Sequence, residues 1–343
     1  MDIIENPHRG SGLTDGDLSE IPYPSVNAAA PAELMARCFG CKETPLHALD
    51  AFGTKLWVKD ERGRMDLGSF KALGAAYVIA HQAAETGVDD LSAALSGRVY
   101  VTASAGNHGM SVAAGAAQFG ARAVVYLAET VPEGFAERLR GLGADVVRAG
   151  AEYEASMAAA QKAAKDNDWT LLSDSSWPGY FELSHRLMEG YTAMAAEAVS
   201  QMPEAPTHIM LQAGVGGLAG ACAAYFRSAW GNAPRIIVVE PVAAPALKES
   251  IEAGHMVSTK GPVSNMGRLD CKEASLIALK GLSRDADAFA LISEDEGSAI
   301  LPKIAALDLA STESGAAGIA ALDLMGLGPD ARVLCILSEE AEA

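Results

Sequence analysis

Four short stretches of this chain combine residue types that bind anions or attack carbonyl groups. In Gly68-Ser69-Phe70-Lys71 a lysine stands beside Phe70 and Leu73, near the start of an expected helix. Partial desolvation and the positive backbone dipoles there disfavour the ammonium form, and a neutral amine is what attacks an aldehyde. Ser104-Ala105-Gly106-Asn107-His108-Gly109 follows a strand-like run and precedes a helical one. Small residues at such a junction leave N–H groups pointing outward, a site for a carboxylate or a phosphate. The amide of Asn107 can bond a ring hydroxyl. Gly214-Val215-Gly216-Gly217 repeats the arrangement. It lacks the Lys-Ser/Thr of a P-loop and the spacing of a dinucleotide fingerprint, so it points to phosphate on something other than ATP or NAD. Ser338 follows the last apolar run, where open α/β sheets place ligands.

Taken singly, each stretch has a plainer reading. Most lysines snorkel at the surface. Ser, Gly and Asn build ordinary strand-to-helix turns, and a serine after a strand is commonly a turn residue. The order of the four stretches, and their places at strand ends, carries the argument.

The elements that must position them read as follows. Lys55–Lys59 (KLWVK) predicts a strand and Gly68–Ala80 a helix, with Ser69 as its N-cap. Arg98–Thr102, Ala121–Leu127, Asp145–Arg148 and Thr170–Leu172 are short apolar runs, separated by Ala-rich helical segments at Met110–Phe119, Gly134–Leu142 and Tyr153–Lys165. That alternation predicts a parallel sheet with right-handed crossovers over residues 72–185. A second layer holds a helix over Leu183–Gln201, strand His208–Gln212, a helix to Trp230, strand Arg235–Glu240, a helix near Pro245–Ala253 and strand Arg332–Leu337. The domain reading is a large unit of residues 1–71 and 186–343 with a small αβ unit, 72–185, inserted in it. Residues 1–30, rich in Pro, Gly, Ser and Asp, are expected to form an arm over the surface or a partner subunit.

Composition excludes several classes of function. Half of the 343 residues are hydrophobic and a fifth are charged, which fits a folded globular chain. A formal net charge of −18 repels phosphate backbones and anionic lipids, so neither nucleic acid nor a membrane is an expected partner. Apolar runs fall short of a membrane span, and the polar, acidic start of the chain does not read as a signal or transit peptide. The cytoplasm is the expected compartment. Cys38 and Cys41 form one CxxC, with no second pair to complete a zinc site; reduced thiols are expected there. No metal-ligand cluster is visible.

With these segments in order, the sequence resembles the fold-type-II pyridoxal-phosphate (PLP) enzymes, relatives of threonine dehydratase and serine racemase. Within them it is most similar to the diaminopropionate ammonia-lyases. The likeness is carried by WVKDERGRMDLGSFKALGAAY (57–77), SAGNHG (104–109), SDSSWPGY (173–180), MEGYTAMAAEAVSQM (188–202), LQAGVGGLAGA (211–221), MGRLDCKEAS (266–275), ESGAAG (313–318) and ILSEE (336–340). It implies a tryptophan-synthase-β-like α/β fold of two three-layer αβα domains, PLP as cofactor, a small amino acid as substrate and a homodimer. It implies that Lys71 carries the cofactor, with Phe70 and Leu218 against it. Gly214, Val215, Gly216 and Gly217 would hold the phosphate, Asn107 the ring oxygen and Ser338 the ring nitrogen. Ser104, Ala105, Gly106 and His108 would line the substrate carboxylate site. Asp174, by itself an ordinary turn or cap residue, matches the base acting on the L-substrate.

One position departs from the pattern. Ala105 stands where the ammonia-lyases carry an aspartate regarded as the base for the D-substrate. The implied activity is elimination of a β-substituent from an amino acid such as L-2,3-diaminopropionate, giving a 2-oxo acid and ammonia. Ala105 keeps open a dehydratase or racemase of L-serine, L-threonine or hydroxyaspartate. A β-replacement synthase, or a PLP-binding protein without catalysis, is the third reading.

Overall fold

Short Val-, Ile- and Leu-rich runs between Ala-rich amphipathic segments produce alternating strands and helices. The computed structural model describes residues 1–14, 16–37 and 41–341. Strand β1 (Asp2–Glu5), helix α1 (Ala29–Ala36), β2 (Leu46–Ala51) and β3 (Thr54–Asp60) come first. Then follow α2 (Ala72–Glu85), β4 (Val99–Ala103), α3 (Asn107–Gln118), β5 (Arg122–Leu127), α4 (Glu133–Gly141), β6 (Asp145–Arg148), α5 (Tyr153–Asn167) and β7 (Thr170–Leu171). The remainder is α6 (Glu182–Gln201), β8 (His208–Gln212), α7 (Gly217–Trp230), β9 (Arg235–Pro241), α8 (Ala246–Ala253), α9 (Leu276–Asp285), β10 (Ala288–Ile292), α10 (Glu294–Ala305), α11 (Glu313–Met325) and β11 (Arg332–Leu337).

Two sheets result. One has seven strands in the order β1-β10-β9-β8-β11-β3-β2, the other four in the order β6-β5-β4-β7. The four-stranded sheet is wholly parallel. In the larger sheet only the edge strands β1 and β2 run antiparallel to their neighbours. Its central strands are buried on both faces, which is why they read as unbroken apolar runs. Parallel pairing brings the ends of β3 and β11 level, Asp60 opposite Leu337. Among the described residues no helix is long and apolar enough to cross a membrane.

The structure corrects two local expectations. The helix after Gly68 begins at Ala72, with Lys71 and not Ser69 in the cap position. Gly68, at φ +75°, turns the chain so that Ser69 pairs with Glu339 in an antiparallel bridge instead of entering the helix. Cys41 is disulfide-bonded and not a reduced thiol; Cys38 lies outside the described residues. The expected N-terminal arm is in part β1, added to the edge strand β10. Beyond it, Asn6 donates to the carbonyls of Ser283, in the last turn of α9, and Ala286, just after it, at 2.8 and 2.7 Å.

The loop that delivers Lys71 is anchored by a buried ion network. Arg64, fully buried, donates to both oxygens of Glu61 at 2.7 and 2.8 Å and to both oxygens of Glu197, on α6, at 2.8 and 2.6 Å. Lys59 adds a second cation, 2.6 Å from Glu197, so two positive and two negative groups close on one another. Burial pushes the Lys59 ammonium below its usual range, even though Glu197 opposes the shift. Two consecutive residues just beyond, Met65 and Asp66, sit at φ +52° and +56°, a strained left-handed conformation for side-chain-bearing residues. Removing one partner of a buried pair leaves the other uncompensated. Arg64→Met is therefore expected to lower the free energy of unfolding in urea by about 3–5 kcal/mol; an unchanged midpoint would mean the network contributes nothing.

Candidate active site

Lys71 meets Asp174 across the fold. Its Nζ forms an ion pair with Asp174 Oδ2, and both side chains are about one-fifth exposed, at 20% and 19%. Asp174 belongs to the segment between β7 and α6, which hydroxyls staple in place. Ser184 Oγ donates to the carbonyls of Ser173 and Ser175 at 3.3 and 2.6 Å, and Ser176 Oγ lies 2.7 Å from Ser275 Oγ. The turn residue expected from sequence is thus aimed at the lysine. The neutral amine expected at position 71 is not what the geometry favours. Burial alone would lower the lysine, but the carboxylate beside it wins and holds Lys71 above its ordinary range. The same contact, against the burial of both groups, holds the Asp174 carboxyl below the usual carboxylate range.

The glycine loop stands beside this pair. Gly216 has φ +93°, and a Cβ there would lie 2.8 Å from the Cβ of Ala278, so only glycine fits. Gly214 backs onto the 268–271 segment, where a Cβ would meet the Arg268 carbonyl at 2.9 Å. Ser275 N–H donates to the Val215 carbonyl at 2.9 Å and fixes the loop from the far side. No side chain caps α7, so its first N–H groups are left to an anionic ligand; Leu218, in that first turn, is buried.

At the start of α3 the N-cap residue is Gly106, which has no side chain to cap the helix. Ser104 Oγ accepts from the N–H groups of Gly106 and Gly109, at 3.3 and 3.1 Å, and so shapes the turn. Ala105 is exposed at its tip. His108 turns inward: its Nε2–H donates to the Leu172 carbonyl at 2.9 Å, and burial lowers its pKa, keeping the ring neutral. Asn107 Nδ2 donates to Glu339 Oε2 at 2.5 Å. Ser338 is buried, and its carbonyl accepts from Phe70 N–H at 3.0 Å, which ties the end of β11 to the lysine loop.

Sequence reading missed three neighbours of these groups. Tyr191, on α6, packs its ring 4.9 Å from Phe70, and Gly74 and Gly217 flank it; a Cβ on Gly74 would meet its hydroxyl at 2.8 Å. Its buried hydroxyl has no partner among the described residues. Cys271 lines Gly214, with its thiol pushed up to about 12 by burial and by the nearby Asp174. Glu339 clasps Asn107. Tyr191 lies within a segment that carries the family likeness, and Glu339 stands at a strand end. Periodicity alone could not separate either from core or turn residues. A half-buried lysine, an uncapped glycine cradle closed to any Cβ and an orphaned buried hydroxyl together fit an aromatic aldehyde that bears a phosphate.

Comparison with known proteins gives the same answer. The family described as pyridoxal-phosphate dependent enzymes matches residues 38–339. The chain is 32% identical to the diaminopropionate ammonia-lyase of Escherichia coli K12, over 99% of this chain and 93% of that protein. It is 35% identical to the Salmonella typhimurium enzyme of the same name, over 68% of this chain and 65% of that one. The E. coli enzyme in complex with D-serine superposes with a TM-score of 0.86 at 29% identity, covering 99% of this chain and 93% of that one. The same enzyme has also been solved with an aminoacrylate-PLP azomethine reaction intermediate. Tomato threonine deaminase, at 21% identity and a TM-score of 0.81, shares the fold. With nearly the whole chain matched to these relatives, this protein belongs to the pyridoxal-phosphate-dependent enzymes and is a lyase of fold type II.

Proposed function

We propose that this enzyme eliminates the β-amino group from a small L-amino acid such as L-2,3-diaminopropionate, releasing ammonia and a 2-oxo acid. The observation that carries the reading is the Lys71–Asp174 contact beside the uncapped glycine cradle. When bound, PLP supplies a conjugated ring that delocalises the negative charge left on the substrate α-carbon. Gly214, Val215, Gly216, Gly217 and Leu218 would hold the phosphate, Phe70 and Ser338 would bound the ring, and Asn107 would supply a donor to its oxygen. The substrate carboxylate rests against the turn lined by Ser104, Ala105, Gly106 and His108, at the start of α3. Asp174 takes the α-proton. Its carboxyl is held low by the lysine cation, so it gains basicity whenever the charge on Lys71 is lost.

Ala105 favours a second reading. With no carboxylate at the exposed tip of the turn, proton removal is confined to one face of the substrate, as in dehydration of L-serine, L-threonine or hydroxyaspartate. Residues 1–71 and 186–343 form the body that holds the cofactor, and 72–185 an inserted unit. The active form is a cytoplasmic homodimer. The four-stranded sheet, drawn only from residues 99–171, supports the division.

Asp174→Asn is expected to keep the yellow cofactor bound while turnover of the L-substrate falls about 10²–10⁴-fold, the usual worth of a positioned base. Full activity in that variant would remove Asp174 from the mechanism. Ammonia and 2-oxo acid release, measured over L-2,3-diaminopropionate, its D-enantiomer, L-serine and L-threonine, is expected to be greatest with the L-diamine and negligible with the D-form. Preference for L-serine or L-threonine would transfer the assignment to the dehydratases. Only a neutral amine attacks an aldehyde, and Asp174 raises the Lys71 pKa. Stopped-flow loading of apoprotein with PLP should therefore quicken with rising pH, and Asp174→Asn should move that profile to lower pH. A profile unmoved by the substitution would contradict the electrostatic role.

A further inference from the structure

Glu339 follows Ser338 off the end of β11, and its side chain is 6% exposed. A buried carboxylate is costly unless its oxygens are bonded, and here both are. Oε2 accepts from Asn107 Nδ2 at 2.5 Å and lies 3.5 Å from Arg268 Nε. Oε1 accepts from the Thr312 hydroxyl, whose oxygen in turn accepts from Gly315 N–H at 2.9 Å and caps α11. Gly315 leaves room for the arrangement, since a Cβ there would lie 3.0 Å from Glu339 Cγ. The backbone of Glu339 is held as well. Its carbonyl accepts from Ser311 Oγ at 2.5 Å, and it bridges to Ser69, close before Lys71 in the chain. The carboxylate thus joins the start of α3 to the start of α11, and the backbone of the same residue ties the end of β11 to the lysine loop.

We propose that Glu339 is a positioning residue that fixes the side-chain amide of Asn107 with its nitrogen toward the cofactor ring. An amide left free can present either its carbonyl or its NH₂ group. A carboxylate only accepts, so it selects the NH₂ end, and the charge-assisted bond is roughly twice as strong as a neutral one. The second N–H of the same nitrogen then points to the ring oxygen, whereas a flipped amide would set oxygen against oxygen. The inference rests on the reading of Asn107 as a contact to that ring.

The test uses full-length protein carrying Glu339→Leu, Glu339→Gln, Asn107→Ala or the Leu–Ala pair. Each is loaded with PLP and read by the pH titration of its visible absorption band and by cofactor retention in dialysis, with thermal melting in parallel. Glu339→Leu and Asn107→Ala are expected to move the titration in the same direction and to weaken retention roughly tenfold, the worth of one hydrogen bond to a charged group. The double variant should lose no more than either single one. Glu339→Gln, which can turn its carbonyl to Asn107, should titrate as the native protein does. A native titration in Glu339→Leu, whatever its melting temperature, overturns the proposal, as do additive losses in the double variant. If Asn107→Ala alone leaves the band unmoved, Asn107 does not touch the ring and both readings fall. A protein that stays colourless fails earlier, at Lys71.

Discussion

A half-buried cation and a half-buried anion cannot be held apart from their partners without a large desolvation cost, and the pairing of Lys71 with Asp174 answers that constraint. The two residues are 103 positions apart and come from segments with different neighbours. Bringing them together requires the loop after β3 and the loop after β7 to end at one place. Each loop is braced independently. Arg64 and Glu197 clamp the first to α6, and Ser184 on the same helix holds the second. Helix α6 is therefore the common support, and Tyr191 on it fills the space between the lysine loop and the glycine cradle.

The pair also sets the chemistry available. A lysine held as a cation is a poor nucleophile, yet the aspartate that holds it is the group released when that charge disappears. The amine of Lys71 and the carboxyl of Asp174 each hold the other in its charged form, so neither can be tuned without the other. The surroundings keep the coupling intact. His108 is neutral and bonded to a backbone carbonyl, and Cys271 keeps its thiol protonated by burial.

In the proposed reading, specificity is set at a different place, the turn at the start of α3. Its backbone is shaped by Ser104, its amide group is tied to Glu339, and its exposed tip is Ala105. A single side chain at that tip decides whether a second proton acceptor faces the substrate.

The strongly periodic parts of the fold were legible in the sequence. Strands β8 and β11 fall where their apolar runs predicted, because a strand buried on both faces leaves an unbroken hydrophobic signature; β6, a partly exposed edge strand, also falls on its predicted run. The glycine cradle was legible too, since only glycine tolerates the conformation at Gly216. Edge strands β1 and β2 and the Ala- and Gly-rich helix α11 escaped, because short elements or uniformly small residues give weak periodicity; helices α9 and α10 and the buried strand β10 escaped although their apolar residues are patterned or continuous. At the site, sequence named the residue types but only tertiary structure decided their states. Lys71 alone reads as a desolvated amine; a carboxylate brought from another loop makes it a cation. Asn107 alone has two possible amide orientations, and Glu339 selects one. Charge and orientation depend on what stands a few ångströms away in space, and the chain's linear order does not contain that distance.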